Sequence, residues 1–279
     1  MKLIITEEQY KLLFESEGEL IPFDLSSFGD SVDDIHKLML VLNKYERLSK
    51  KGNYTGLRLT DSNCYFNGLN MDTIPYLKVV DNSLVMRNNQ LETLGELELV
   101  GGNLVMTDSK YLVSLGELRE VKGIFNLENS KILESLDNLK VVGNELVVRG
   151  CENLRDLGKL KYVHTISGLD DTMITDLGNL ERVGYIYNWE GGALKKIESL
   201  GKLKRVDRML DLAQSKIKSL GNLEYVGDFL SLFDSDIEDL GNLKYVGGNL
   251  SLMGTPLAEK TTEEEIRSKI NVEGSVYLD

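Results

Sequence analysis

Two stretches, Leu220-Gly221-Asn222-Leu223-Glu224-Tyr225-Val226 and Leu240-Gly241-Asn242-Leu243-Lys244-Tyr245-Val246, are nearly identical and closely follow each other in the chain. The pattern Leu-Gly-x-Leu-x-x-Val that they share occurs eight times, from Leu94 to Val246, at nearly regular intervals. In one copy Asp137 replaces the glycine, and a weaker ninth copy runs from Ile74 to Val80. Self-similarity at a period of about 20 residues is typical of repeat proteins, so the sequence predicts a solenoid.

The residues after each valine alternate in polarity. With the valine as position zero, the residues at +4 and +6 are mostly apolar, and those at +5 are mixed. Alternation with a period of two indicates a β-strand with one buried face. We therefore expect one coil per repeat, with equivalent strands stacked in parallel sheets.

Two further positions complete the repeat. Position +9 holds a small polar residue or cysteine, which we expect to hydrogen bond the backbone of the next coil at a buried bend. Position +11 often returns to isoleucine or leucine, which we expect to point inward. The side chains at this position are Leu91, Ile132, Ile174, Ile217, Ile237 and Leu257. A repeat this short, with this much turning, leaves no room for a long helix.

The consensus resembles the leucine-rich repeat, whose core pattern matches Leu84-x-Met86-x-x-Asn89-x-Leu91. It differs in placing the valine four residues, instead of three, before the first strand leucine. The Val-Gly-Gly-Asn-Leu segments at 100–104 and 246–250 are more similar to the receptor L-domain variety. This resemblance, which covers about residues 74–257, implies a short right-handed β-helix and specifies no ligand.

Both ends of the repeat array are expected to be capped, since open sheet edges promote aggregation. Residues 1–56 are predicted to form a mostly helical N-terminal cap. Its first helix begins at the capping box Thr6-Glu7-Glu8-Gln9 and runs to about Glu15, and its second spans about 32–50 after Asp30 or Ser31. In the second helix, Ile35, Leu38, Met39, Leu42, Tyr45 and Leu48 are expected to face the first coil.

Residues 57–257 are assigned to the solenoid, in which Leu57-Arg58-Leu59 is expected to form a degenerate early strand. Residues 258–279 are assigned to a C-terminal cap. There Thr261 or Thr262 begins a short helix, and the segment from Val272 to Leu278 repeats the strand register as a final coil.

The opening residues 1–9 are similar to the start of many uncharacterised tailed-bacteriophage proteins, which also carry repeats of the Leu-Gly-Asn-Leu-x-Tyr-Val-Gly kind. This resemblance implies a viral origin and no particular activity.

Composition limits the setting and the partners. The chain has 279 residues, 42% of them hydrophobic, and no apolar run long enough for a membrane helix or a secretory signal. A net charge of −13 argues against nucleic acid or an anionic membrane as the partner. Two cysteines, Cys64 and Cys151, provide neither a disulfide framework nor a zinc site, so we expect a cytoplasmic protein without cofactor.

Catalytic chemistry has little support in the sequence. The two histidines, His36 and His164, have no implied Ser or Cys partner, and no phosphate-binding loop is present. Asp170 and Asp171 could meet Glu190 and Asp211 on neighbouring coils, where the carboxylates would bind a cation or act as acid and base. The alternative is a solvated acidic rim, and we predict no enzyme.

The outward positions of the strands are the expected binding surface, because solenoids bind along an extended face. A loop beside Tyr187 and Trp189 is longer than its counterparts in the shortest repeats, and Phe233 next to Met253 forms a candidate apolar patch. The patch could instead pack under a terminal element, and the loop could be a tolerated insertion. The candidate partner-binding residues are Arg87, Arg149, Asp170, Tyr187, Asn188, Trp189, Glu190, Asp211, Phe233 and Met253.

The sequence thus favours a non-catalytic scaffold that binds another protein, directed at a host protein if the chain is phage-encoded. Two alternatives stay open: a virion component or glycan-binding adhesin, and a β-helix enzyme acting on polysaccharide.

Overall fold

The computed structural model of the protein describes residues 19–28, 33–50, 52, 54–60, 62–187 and 194–279. The chain winds into a parallel β-solenoid of about nine coils, as the repeat predicts. Each coil adds a short strand beside the equivalent strand of the preceding coil, about 4.8 Å away.

In chain order the strands are β1 (Glu19–Asp24), β2 (Tyr54–Thr60), β3 (Cys64–Tyr65), β4 (Leu77–Val80), β5 (Leu84–Val85), β6 (Leu99–Val100), β7 (Leu104–Val105), β8 (Glu120–Val121), β9 (Phe125–Asn126), β10 (Val141–Val147), β11 (Tyr162–Ser167), β12 (Arg182–Tyr187), β13 (Arg205–Val206), β14 (Leu210–Asp211), β15 (Tyr225–Val226), β16 (Leu230–Ser231), β17 (Tyr245–Val246), β18 (Leu250–Ser251), β19 (Asn271–Val272) and β20 (Val276–Tyr277). The main row is β1-β2-β4-β6-β8-β10-β11-β12-β13-β15-β17-β19. A second row contains the +4 and +5 residues, as β3-β5-β7-β9 and β14-β16-β18-β20. The long strands β10 to β12 cross both rows.

The repeat valines form one buried column through the rod. Val80 pairs with Val100, Val100 with Val121, and the column continues coil by coil to Val272. Its members are at most 4% exposed, and the leucines of the Leu-Gly-x-Leu segments pack beside them. The predicted facing of these positions is confirmed.

The small residues at +9 form a buried polar column, also as predicted. Most of them bond their own coil, contrary to expectation: the hydroxyls of Thr172, Ser235 and Thr255 donate to the carbonyl three residues earlier, at 2.6–2.7 Å. The Cys151 thiol reaches the preceding coil, donating to the Leu127 carbonyl at 3.2 Å. The bend at +9 is therefore closed largely within each coil.

The prediction that Ile132 points inward is wrong. Ile132 is 40% exposed, whereas Leu133 is fully buried, and Leu112 and Leu154 take the same place in the neighbouring coils. Each of these three coils is longer by a single residue than the shortest coils, and the insertion lies between the +9 bend and the inward leucine. It moves the inward position from +11 to +12.

A second register difference affects Tyr187. The sequence pattern places Tyr187 inward at +4, but Ile186 pairs with Ile166 in the inward column. The coils that start at Val163 and Val183 reach this column at +3, because the pairing of β10 with β11 shifts by one residue after Val142. The backbone of Tyr187 therefore pairs with Ser167.

At the N-terminal end, helix α1 (Asp34–Ser49) starts after Asp33, whose side chain accepts a hydrogen bond from the His36 N–H. Leu38, Val41, Leu42 and Tyr45 are buried, and α1 contacts β2 and β3 of the first coil. Met39, expected on the buried face, is 44% exposed.

Strand β1 pairs in parallel with β2 and extends the main strand row into a region that the sequence assigns to a mostly helical cap. A 3-10 turn, Leu25–Phe28, follows it. The expected helix at residues 6–15 and its capping box lie outside the described residues, as do Asp30 and Ser31.

At the C-terminal end, a 3-10 turn (Ala258–Lys260) leads into helix α2 (Glu263–Lys269). Thr262 and Glu265 form a reciprocal capping box at its start. The Arg267 guanidinium then donates to the carbonyls of Val272 and Gly274 at 2.7 Å, which ties the helix to the following coil. That coil supplies β19 and β20, which pair with β17 and β18.

The facing assignment predicts unequal effects at two nearby positions. Leu127→Ala removes a fully buried side chain and should lower the free energy of unfolding by about 2–5 kcal/mol. Thr107→Ala, at an outward position, should change it by less than about 0.5 kcal/mol. Urea denaturation followed by circular dichroism measures both, and equal losses would contradict the assignment.

Candidate functional site

In the C-terminal half of the rod, the outward side of the second strand row carries small polar residues at +5 with larger, mostly apolar residues at +3 and +7 beside them, and we call this surface the trough. Its floor is the column of Asp211, Ser231 and Ser251, which pair in register. The serines are only 6% and 7% exposed. One wall contains Phe233 and Met253, whose carbonyls accept from the N–H groups of Gln214 and Asp234 in the preceding coils. The other wall contains Met209 and Phe229.

Two large side chains of this surface are exposed to solvent. Phe233 is 39% exposed, and Tyr277, which extends the floor column beyond Ser251, is 42% exposed. Helix α2 lies elsewhere, where its Ile266 borders a cavity together with Leu240, Leu243 and Leu257. Among the described residues, no terminal helix covers Phe233.

The other candidate residues are scattered. Arg87 is exposed near the N-terminal end of the rod. Arg149 lies in the middle of the rod, with its Nη1 atom 4.0 Å from Oε1 of Glu128. Asp170 is exposed at a 3-10 turn, Leu169–Asp171. Asn188, Trp189 and Glu190 lie outside the described residues, as does the side chain of Tyr187. The structure thus brings Asp211, Phe233 and Met253 together and leaves Arg87 and Arg149 apart from them.

The candidate carboxylates have structural partners. Asp171 accepts from the Gly150 N–H at 3.1 Å, and Asp211 accepts from the Ala213 N–H at 3.0 Å, so both stabilise turns. The described part of the chain contains no cluster of three His, Cys, Asp or Glu side chains that could hold a metal ion. His36 binds Asp33 at the exposed start of α1, and His164 is exposed.

A row of aromatic and basic side chains, which sequence reasoning missed, lies on the outer face of the main strand row. Tyr162, Arg182, Arg205, Tyr225 and Tyr245 each precede a repeat valine and pair in register. We call these five residues the ladder. The Arg205 guanidinium lies 3.7 Å from the Tyr225 ring centre, and the Tyr225 and Tyr245 rings stack at 4.8 Å. Aligning the repeats on their valines would have revealed this column.

Asp207 fixes the two arginines of the ladder. Its Oδ2 accepts from Nε and Nη2 of Arg182 at 3.0 and 2.8 Å, and its Oδ1 accepts from Nε of Arg205 at 2.7 Å. Desolvation opposes ionisation of Asp207, but these hydrogen bonds outweigh it and hold its pKa below the usual range. Both guanidinium groups are therefore held in place at the surface.

Glycine makes room for the stacked tyrosines. A Cβ atom at Gly227 or Gly247 would approach the ring of Tyr225 or Tyr245 to within 3.3 or 3.2 Å and collide with the carbonyl of the preceding coil. The rings therefore lie close against the backbone.

Glu120 occupies the same column as the ladder, two coils before Tyr162. It is 3% exposed, lies between Leu99 and Val141 in register, and its Oε2 atom has no hydrogen-bond partner. Burial raises the pKa of Glu120, and the nearby Lys122 partly opposes this rise. The side chain therefore weakens the fold when it is ionised.

In comparisons with protein-family models, with curated proteins and with solved structures, nothing matches this chain. Of the helices in the described residues, none has both the length and the apolar character needed to cross a membrane.

Replacing Glu120 should stabilise the protein in a pH-dependent way. Because the folded-state pKa is raised, the native chain loses stability as pH rises from about 4.3, the unfolded value, through the folded value. Glu120→Gln should therefore gain on the order of 1 kcal/mol near neutral pH and almost nothing near about pH 4. Chemical denaturation at both pH values tests this, with exposed Glu92→Gln as the control. A gain independent of pH would contradict the assignment.

The two cysteines should be unreactive in the folded protein. Burial raises the pKa of Cys64 and Cys151 to about 12, which leaves very little thiolate at neutral pH. Alkylation by iodoacetamide should be roughly a thousandfold slower than for a free thiol. Mass spectrometry should detect two adducts only after denaturation, and rapid labelling of the native chain would show that the sites are open.

Proposed function

We propose that this chain is a non-catalytic scaffold that binds another protein, and that the trough receives a segment of it. The observation that carries the proposal is the exposed Phe233, with the half-buried Met253 at the same position of the next coil, beside a column of small serines. Exposed apolar patches of this kind typically mark contact surfaces, and aromatic residues and methionine are enriched in the buried centres of interfaces.

The geometry favours side-chain insertion. The serines of the floor are small and largely covered, whereas Phe233 is exposed, so an apolar side chain of a partner would contact Phe233 and the neighbouring Met253. The floor and one wall are fixed by coil-to-coil backbone hydrogen bonds. Little backbone ordering is then needed on binding, which favours affinity.

The proposal also includes the repeat family, the capped ends and the origin of the chain. The consensus from Leu84 to Leu91 and the Val-Gly-Gly-Asn-Leu segments support a leucine-rich-repeat chain of the receptor L-domain variety. Helix α1 on the first coil and helix α2 near the last support capped ends. The opening residues 1–9 support a phage protein that acts on a host protein in the host cytoplasm.

The trough can be tested by differential capture followed by direct binding. Phe233→Asp, wild type and Thr107→Asp serve as baits in an extract of the natural host. Thr107 is a matched control because it holds the same +7 position in the N-terminal half. A partner retained by wild type and Thr107→Asp should be lost by Phe233→Asp. With the purified partner, Phe233→Asp should weaken binding by about 30-fold or more, as expected for a central interface residue.

Circular dichroism of Phe233→Asp serves as the folding control, and its spectrum should match that of the wild type. Equal affinity of all three baits for the purified partner would refute the assignment of the trough as the binding site. Specific binding of the protein to a glycan panel would favour an adhesin instead.

A further inference from the structure

Across the five neighbouring strands β8, β10, β11, β12 and β13 of the main row, basic side chains outnumber acidic ones on the outer face, although the chain as a whole is acidic. We call the outward side chains that flank the repeat valines of this region, from 119 to 208, the basic face. Its basic members are Arg119, Lys122, Lys140, Lys161, Arg182, Lys204, Arg205 and Arg208, and its acidic members are Glu120, Glu181 and Asp207. The basic face therefore carries a formal excess of five positive charges, while the rest of the chain carries −18.

The cations crowd each other without full compensation. Backbone hydrogen bonds of 2.8 and 2.9 Å place Lys140 directly between Arg119 and Lys161. Like charges in directly opposite positions of a sheet destabilise it. Arg119 approaches Glu98 and Glu117, and Lys161 approaches Glu181, but Lys140, Lys204 and Arg208 form no ion pair with a described residue. Of these three, Lys204 lies in register between Glu181 and Glu224, so the crowding of like charges is centred on Lys140. A chain with 45 acidic residues could have paired them, so this crowding points outward to a ligand.

The arginines at one end of the basic face are already oriented. One carboxylate, Asp207, accepts from both guanidinium groups, and of the Arg205 donors it takes only the Nε–H. The Arg205 side chain is 42% exposed, and its guanidinium carbon lies 3.7 Å from the centre of the Tyr225 ring. A guanidinium carries five N–H donors, and hydrogen bonds to the Asp207 and Tyr225 side chains leave further donors of Arg205 for a second carboxylate.

We propose that the basic face binds an acidic segment of another protein, laid along the rod axis across the strands. Charge complementarity supplies the attraction. The five strands span about 19 Å, which an extended chain of about six residues covers. This surface is separate from the trough, so the inference does not depend on the trough's role.

A protein segment fits the surface better than a nucleic acid. A long polyanion would continue past the basic face onto the rest of the protein, whose residues carry a formal charge of −18 in total, whereas an acidic segment can end at the basic face. Single-stranded nucleic acids also bind by stacking bases on aromatic faces. Here Tyr225 and Tyr245 stack on each other, and Arg205 lies over Tyr225.

The experiment titrates the full protein with a synthetic peptide of about six glutamates and follows backbone amide chemical shifts. The shifts of Lys140, Lys161 and Lys204 should move, and high salt should reverse them, since screening weakens charge attraction. A glutamine peptide of the same length should have no effect. A thymidine oligonucleotide of similar charge should bind at least about tenfold more weakly than the glutamate peptide.

The decisive variant is Lys140→Glu/Lys204→Glu/Arg208→Glu, compared with Lys195→Glu/Lys216→Glu/Lys218→Glu, which makes the same charge change outside the basic face. The first should weaken peptide binding at least about tenfold, and the second should leave it nearly unchanged. Single Lys140→Glu should weaken binding while raising the melting temperature, because it relieves repulsion from Arg119 and Lys161. If Lys140 served only to stabilise the fold, Lys140→Glu would lower the melting temperature and leave peptide binding unchanged.

Equal losses in the two triple variants, or no peptide binding to wild type, would overturn the proposal. Tighter binding of the oligonucleotide would assign the surface to nucleic acid and would also overturn it. Phe233→Asp should bind the glutamate peptide like wild type, which separates failure of this proposal from failure of the trough.

Discussion

In-register hydrogen bonding between the backbones of successive coils governs every other feature of this protein. The short strands of one coil find their partners in the next coil, so equivalent residues must lie about 4.8 Å apart. A choice of residue at one repeat position therefore becomes a column along the rod. The buried valine column is one result, and the five-residue ladder is another. Gly227 and Gly247 show how close the contact is, since neither leaves room for a Cβ atom.

The inward columns could be predicted from the sequence because a buried position accepts few residue types. Valine at zero, leucine at +4 and the small residue at +9 recur in coil after coil, and the structure buries nearly all of them. Ile132 and Tyr187 were misassigned for a different reason. A bend accepts one residue more or fewer without changing the residue types around it, so Leu133 and Ile186 take the inward places.

The outward columns were predicted less well, because an exposed position is not restricted to apolar residues. Phe233 and Met253 were found because large apolar side chains at outward positions contradict the alternating pattern. The ladder was missed although its five residues are aligned by the same valines. Arginine and tyrosine are ordinary surface residues, and only their pairing in three dimensions, with Asp207 between two guanidinium groups, makes them distinctive.

The solenoid can carry destabilising surface columns because its core is distributed. Each coil buries several aliphatic side chains, each contributing roughly 1.5–3 kcal/mol, so unfolding one coil exposes its neighbours as well. Repulsion between Arg119, Lys140 and Lys161 is spread over surface positions where screening keeps each contribution small. The serines of the trough floor are tolerated for the same reason. They contribute little apolar packing at +5, but the leucines at +4 and +6 on the inward side stay fully buried. Stability resides in the inward half of each strand, which leaves the outward half free to be shaped by binding.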